Sequence, residues 1–325
     1  RARAPRPFRR MIRSLSTLVA MGRSVAGWVG ARPKAPSGAD DPQALDAVRR
    51  AREAREAGRD EEARTLFRFL LQRWPGHAEA LRGLRDFAID AGDWDEAVAL
   101  QQRLLMAAPP ADRAIESEWL AVGYYELGRL ELARADPAAA VAHFRAALRA
   151  DREFLPGVLA LGDALEAAGD HREAVRTWER AADTRPTLPL LARLERVYRR
   201  EDRPGRMITL YRAACERVPD DLGLATALGR VYFELEMLDE AAEQFEKLEV
   251  RLPESPVVHA FLGAIFERRG QTRDAFDEYR RALRLGHAFD WPHRCADCGA
   301  TAPTWQDRCA QCHRWNTLRP VSPTR

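Results

Sequence analysis

Four of the chain's five cysteines, Cys295, Cys298, Cys309 and Cys312, fall within eighteen residues of one another. Their spacing, C-x2-C-x10-C-x2-C, is that of a metal site. Two residues between thiolates let a tight turn aim both sulfurs at one ion, and two such knuckles complete a tetrahedral shell for Zn²⁺ with Zn–S about 2.3 Å. Gly299, directly after the second cysteine, relieves the backbone where the first knuckle turns over. Zinc is the expected ion, although four thiolates also accept iron. A pair of disulfides would suit an exported chain. No secretory signal is recognisable and Cys215 is left without a mate, which favours a reducing compartment and hence metal. His293 and His313 flank the knuckles and are expected to be exposed rather than to act as ligands, while Trp305 and Trp315 are expected to supply packing. A module of about thirty residues is too small to fold on apolar burial alone, so metal binding should be its folding energy.

The residues ahead of this module repeat. "AGRDEEARTLFRFLLQRWP" (57–75) aligns with "AGDWDEAVALQQRLLMAAP" (91–109) at an offset of 34. The same alanine slot is read at Ala63, Ala97, Ala140, Ala174, Ile208, Ala241 and Ala275, with successive gaps of 34, 43, 34, 34, 33 and 34. Five residues upstream, a turn slot holds Gly58, Gly92, Ala135, Gly169, Arg203, Glu236 and Gly270. Each unit carries two apolar faces at helical spacing, as in Leu228, Val231, Tyr232 and Leu235 followed by Ala241, Phe245 and Leu248. The fold expected is all-α: a superhelical solenoid of about seven units, then a small rubredoxin-like zinc ribbon. The nine extra residues before Ala140 should lengthen a helix or loop around "PPADRAIESEWL", 109–120.

Four regions follow: a basic amphipathic or membrane-proximal segment (1–30), a Pro/Gly/Ser linker (31–43), the repeats (44–286) and the ribbon (287–325). The net charge of +3 conceals their asymmetry. Residues 1–39 hold eight arginines and Lys34 with no acid, and residues 287–325 carry +2, which leaves residues 40–286 at −8. An acidic body does not favour a nucleic-acid footprint. The longest charge-free run in 11–30 is nine residues, between Arg13 and Arg23, against the roughly 20 needed to span a bilayer. That segment could lie on an anionic membrane surface instead. No phosphate loop, nucleophile elbow, HExxH or dinucleotide fingerprint is present, and the histidines at 77, 143, 171 and 259 are scattered, so catalysis is not expected. A solenoid of this kind binds proteins in its concave groove. Arg52, Arg82, Arg129, Arg193 and Arg230 are placed on first helices near the inner wall, as candidate contacts for an acidic peptide or as members of internal ion pairs.

The helical units resemble the tetratricopeptide repeat, whose small and aromatic slots are matched by Leu262, Gly263, Phe266, Ala275, Tyr279 and Ala282. With "RCADCGATA", "CAQCHRW" and "NTLRP" after them, the order of parts resembles the lipopolysaccharide assembly protein B (LapB) family over nearly the whole chain. That resemblance implies an adaptor at the cytoplasmic face of the inner membrane, presenting the deacetylase LpxC to the membrane protease FtsH and so limiting lipopolysaccharide synthesis. By motif it makes Cys295, Cys298, Cys309 and Cys312 the metal ligands. "CGATAPTW" with "CHRWNTL" is at least as similar to the finger of the DNA repair protein RadA, which implies a nucleic-acid contact through Arg294, Arg308, Arg314 and Arg319. RadA's ATPase has no counterpart here. A generic repeat scaffold stands between the two readings.

Overall fold

The computed structural model describes residues 38–285 and 292–321. The basic segment and most of the linker therefore lie outside the described residues, as does 286–291 between the repeats and the ribbon. Fourteen helices among the described residues pair into seven antiparallel hairpins: α1 (Pro42–Glu56) with α2 (Asp60–Arg73), α3 (Ala78–Asp90) with α4 (Trp94–Ala107), and α5 (Arg113–Ala133) with α6 (Pro137–Ala150). They continue as α7 (Leu155–Ala167) with α8 (His171–Thr184), α9 (Leu188–Arg200) with α10 (Pro204–Arg217), α11 (Leu222–Glu234) with α12 (Leu238–Arg251), and α13 (Pro256–Arg268) with α14 (Thr272–Leu285). Every second helix has 14 residues. First helices α3, α7, α9, α11 and α13 have 13, whereas α5 has 21, so the insertion extends one helix by about two turns.

The turn between paired helices obeys one backbone rule. Gly58, Gly92, Ala135, Gly169, Asp202, Glu236 and Gly270 all have φ between 53° and 86°. This left-handed residue ends the first helix in a Schellman-type arrangement, as where Asp93 N–H donates to Ala88 O and Gly92 N–H to Ile89 O. The fifth unit therefore turns at Asp202, one residue before the Arg203 expected from the sequence. Its small-residue slot is accordingly Met207, buried at 1 % exposure, rather than the half-buried Ile208. Neither slot of that unit holds glycine or alanine, so spacing alone places both one residue too late.

A second rule sits inside the hairpins. A first-helix residue seven before the turn faces a second-helix residue sixteen further on: Gly128 meets Phe144, Gly162 meets Trp178, Gly229 meets Phe245 and Gly263 meets Tyr279. A β-carbon at Gly162 would lie 2.1 Å from Trp178 Nε1, so the bare backbone is what lets the indole lie flat on α7. Two units break this rule with polar pairs. Arg85 donates to Gln101 at 2.9 Å, and Tyr211 donates to Glu195 at 2.6 Å. Both pairs are buried, and each is tied to the following unit, through Glu116 on α5 and Arg230 on α11.

The ribbon that follows is a three-stranded antiparallel sheet in the order β2 (Thr301–Ala302), β1 (His293–Cys295), β3 (Leu318–Pro320). Among the described residues no helix is long and apolar enough to cross a membrane.

Candidate metal centre and its seat on the repeats

The two knuckles are built alike. Gly299 N–H donates to Cys295 O and His313 N–H to Cys309 O, both at 3.0 Å, while Cys295 N–H and Cys309 N–H reach Ala300 O and Arg314 O. Gly299 (φ 75°) and His313 (φ 57°) hold the same left-handed position after the second cysteine of each pair. Only the first was legible from sequence, because a histidine there does not signal positive φ.

The four sulfurs lie within 4.8 Å of one another, with Cys295 Sγ 3.6 Å from Cys312 Sγ and Cys298 Sγ 3.7 Å from Cys309 Sγ. A tetrahedral shell with metal–sulfur bonds of about 2.3 Å has edges of about 3.8 Å, so these donors are gathered at the spacing one ion needs. Thr317 Oγ1 stands 3.2 Å from Cys295 Sγ. That contact, with the backbone amides of Cys298 and Asp297, lowers the Cys295 thiol to about 6, and Cys309 is lowered by the amides of Cys312 and Gln311, while Cys298 and Cys312 are raised. Cys295 and Cys309 are buried with Leu318, whereas Cys298 is exposed. His313 is exposed as expected, but His293 is not: it is 5 % exposed on the inner face of β1. The alternation of a strand, invisible in so short a motif, turns it inward.

The ribbon sits against the third and fourth units. Trp315 meets Tyr125 of α5 edge-on, ring centroids 5.0 Å apart, and Phe154 at the start of α7 at 6.4 Å. Tyr125 Oη donates to Asp307 Oδ2 at 2.7 Å. Burial and that carboxylate push the phenol far above its ordinary range. Around this seat burial also raises Glu126, with Asp307 and Arg308 nearby, and raises Glu118, which faces Asp151, Arg314 and Asp297. Trp305 and Trp315 both pack on the core of the repeats, so the tryptophans join the module to the body as well as filling it. Nothing in the spacing of Tyr125, Phe154 or Asp307 announces this contact, because its partners are up to 182 residues apart.

The five arginines expected on the inner wall all lie on first helices, and each holds a carboxylate. Arg82 reaches Glu116, Arg193 reaches Asp163 and Arg230 reaches Glu195, each at 2.7 Å on a neighbouring first helix. Arg52 pairs with Glu79 at 2.5 Å, and Arg129 with Glu126 of its own helix at 3.3 Å. Of the ribbon's arginines, Arg314 pairs with Asp297 at 3.2 Å and Arg308 covers Trp315. Cys215 is a half-buried thiol, raised to about 11 by burial.

Comparison with known families meets this geometry at both ends. Residues 293–320 match the LapB zinc-ribbon family, described as a rubredoxin metal binding domain. Residues 54–116, 125–189 and 226–288 match tetratricopeptide repeat families. The chain is a LapB-like tetratricopeptide-repeat protein. No curated relative matches it. Among solved structures, this LapB-like chain is similar to MamA from Desulfovibrio magneticus RS-1, at 22 % identity over 51 % of this chain and 94 % of that one, TM-score 0.38. It is also similar to YrrB, "a TPR protein with an unusual peptide-binding site", at 19 % identity over 54 % and 90 %, TM-score 0.36.

Proposed function

We propose that this LapB-like chain is a non-enzymatic adaptor that limits lipopolysaccharide synthesis by presenting LpxC to FtsH, with Zn²⁺ held by Cys295, Cys298, Cys309 and Cys312. The observation that supports it most is the seat of the four-thiolate ribbon on the repeats through Trp315, Tyr125 and Asp307. That seat makes one protein-contact surface from the two parts. In this reading the chain works at the cytoplasmic face of the inner membrane, with residues 11–30 on the lipid surface. Depletion in its own cells should lengthen the lifetime of LpxC and raise lipopolysaccharide. Unchanged LpxC turnover would remove the role, and elemental analysis finding iron instead of about one zinc per chain would change the metal.

A further inference from the structure

The fifth unit departs from the others at three matched slots: Glu195 stands where four other units have glycine, Met207 where they have alanine, and Asp202 where most turns have glycine. Tyr211 keeps the ring of its slot, but Glu195 takes the place of the bare glycine backbone that faces the ring in those four units and accepts a hydrogen bond from the Tyr211 hydroxyl at 2.6 Å. Arg230 and Arg199 fix the wedge by holding Glu195 from α11 and from its own helix.

Two adjoining clefts, each of about 400 Å³, open between second helices α8 and α10, with α9 as their floor. One is lined by Leu191, Tyr198, Leu210 and Ala214, together with the ion pair of Asp183 and Arg217. The other is rimmed by Arg172, Arg176, Arg200, Arg203 and Arg206 against Glu166, Glu179 and Glu201. Arg176, Arg200, Arg203 and Arg206 are paired with Glu173, Glu166, Glu201 and Glu179, yet each is more than half exposed, and the pairs of Arg176 and Arg206 are long, at 3.9 and 3.8 Å. Arg172 has no carboxylate partner among the described residues, which leaves the rim with one guanidinium in excess.

We propose that the α8–α10 cleft is a docking site for a segment of a partner protein in which an apolar side chain is flanked by carboxylates. The side chain enters the Leu191–Leu210 cleft, and the acids meet the excess guanidinium charge on the rim, where charge-assisted pairs form without desolvating a buried ion. The site lies apart from the ribbon's seat and stands whether or not the LapB-type role holds.

Gly205 offers a clean block. It lines the Leu191–Leu210 cleft, has ordinary backbone geometry, and a β-carbon there meets nothing within 4 Å, so Gly205→Phe should fill the cleft without disturbing the fold. A random peptide display library would be panned on the full chain, and enriched peptides measured by fluorescence anisotropy. The expected consensus is Leu, Ile or Phe beside Asp or Glu. Binding should fall at least tenfold in Gly205→Phe and in the Arg176→Glu/Arg206→Glu double variant, with thermal unfolding unchanged in both. A failure to enrich, a basic consensus, or peptides that bind Gly205→Phe as well as the parent would overturn the proposal. If Gly205→Phe lowers the unfolding midpoint, the charge-reversed variant alone decides, with retained binding counting against the site.

Discussion

The repeats and the ribbon solve the same problem, too little core per element, in opposite ways. Each hairpin buries alanines and leucines, and the first six at least one aromatic ring, in a core that runs on into its neighbours, so stability is distributed along the solenoid. Among its described residues the ribbon buries only Cys295, Cys309 and Leu318 of its own apolar side chains, so its folding should rest on one thiolate shell. Damage should therefore be graded in the first and all-or-none in the second.

The sharpest test removes one ligand. Cys295→Ser, or a strong zinc chelator, should unfold the ribbon and abolish stoichiometric metal, since structural zinc contributes on the order of 10 kcal/mol to such modules. Far-ultraviolet circular dichroism should keep the helical signal. Loss of that signal would mean the repeats depend on the ribbon.

The next effect lies in the polar fifth unit. Burial alone would raise Glu195, but donors from Arg230, Tyr211 and Arg199 bring it down to about 2 from 4.5. A carboxyl lowered in the folded state contributes stability above its unfolded value and loses it as pH falls through the folded one. Roughly 3 kcal/mol should therefore disappear between pH 4.5 and 2, as an order of magnitude from the shift. Urea titrations of the parent and of Glu195→Gln should converge at the acid end. Equal acid sensitivity in the two would refute the assignment.

Smaller still is the apolar counterpart. Gly162→Leu must displace Trp178 and should cost about 2 kcal/mol as overpacking, whereas Gly205→Ala, in open space, should cost well under 1 kcal/mol. Equal midpoints for the two variants would show that the glycine slot is not a packing constraint. The smallest change tests the joint between the regions. Tyr125→Phe keeps the ring on Trp315 but loses the hydrogen bond to Asp307, a loss of about 1 kcal/mol. Faster amide exchange in the ribbon, with the repeats unaffected, is the expected signature.

Most of the solenoid could be read directly. Small residues and glycine turns recur at 34-residue spacing because each hairpin must be close-packed in the same way. The repeat pattern fades where that chemistry changes: Asp202 and Met207 fill slots that keep the geometry of the other units but not their residue types. His313 shows the same limit within the ribbon, since a left-handed residue need not be glycine. The convergence of the four cysteines was legible, because the turn geometry that brings their sulfurs together is local.

Sequence by itself thus determined the hairpins, their number and the metal-binding pattern, since each depends on residues a few positions apart. Only the tertiary structure decided that Trp315 would rest on Tyr125, that Arg230 would hold Glu195, and that a cleft would open between α8 and α10. Those features depend on which surfaces meet once the hairpins stack, and one-dimensional spacing carries no record of that.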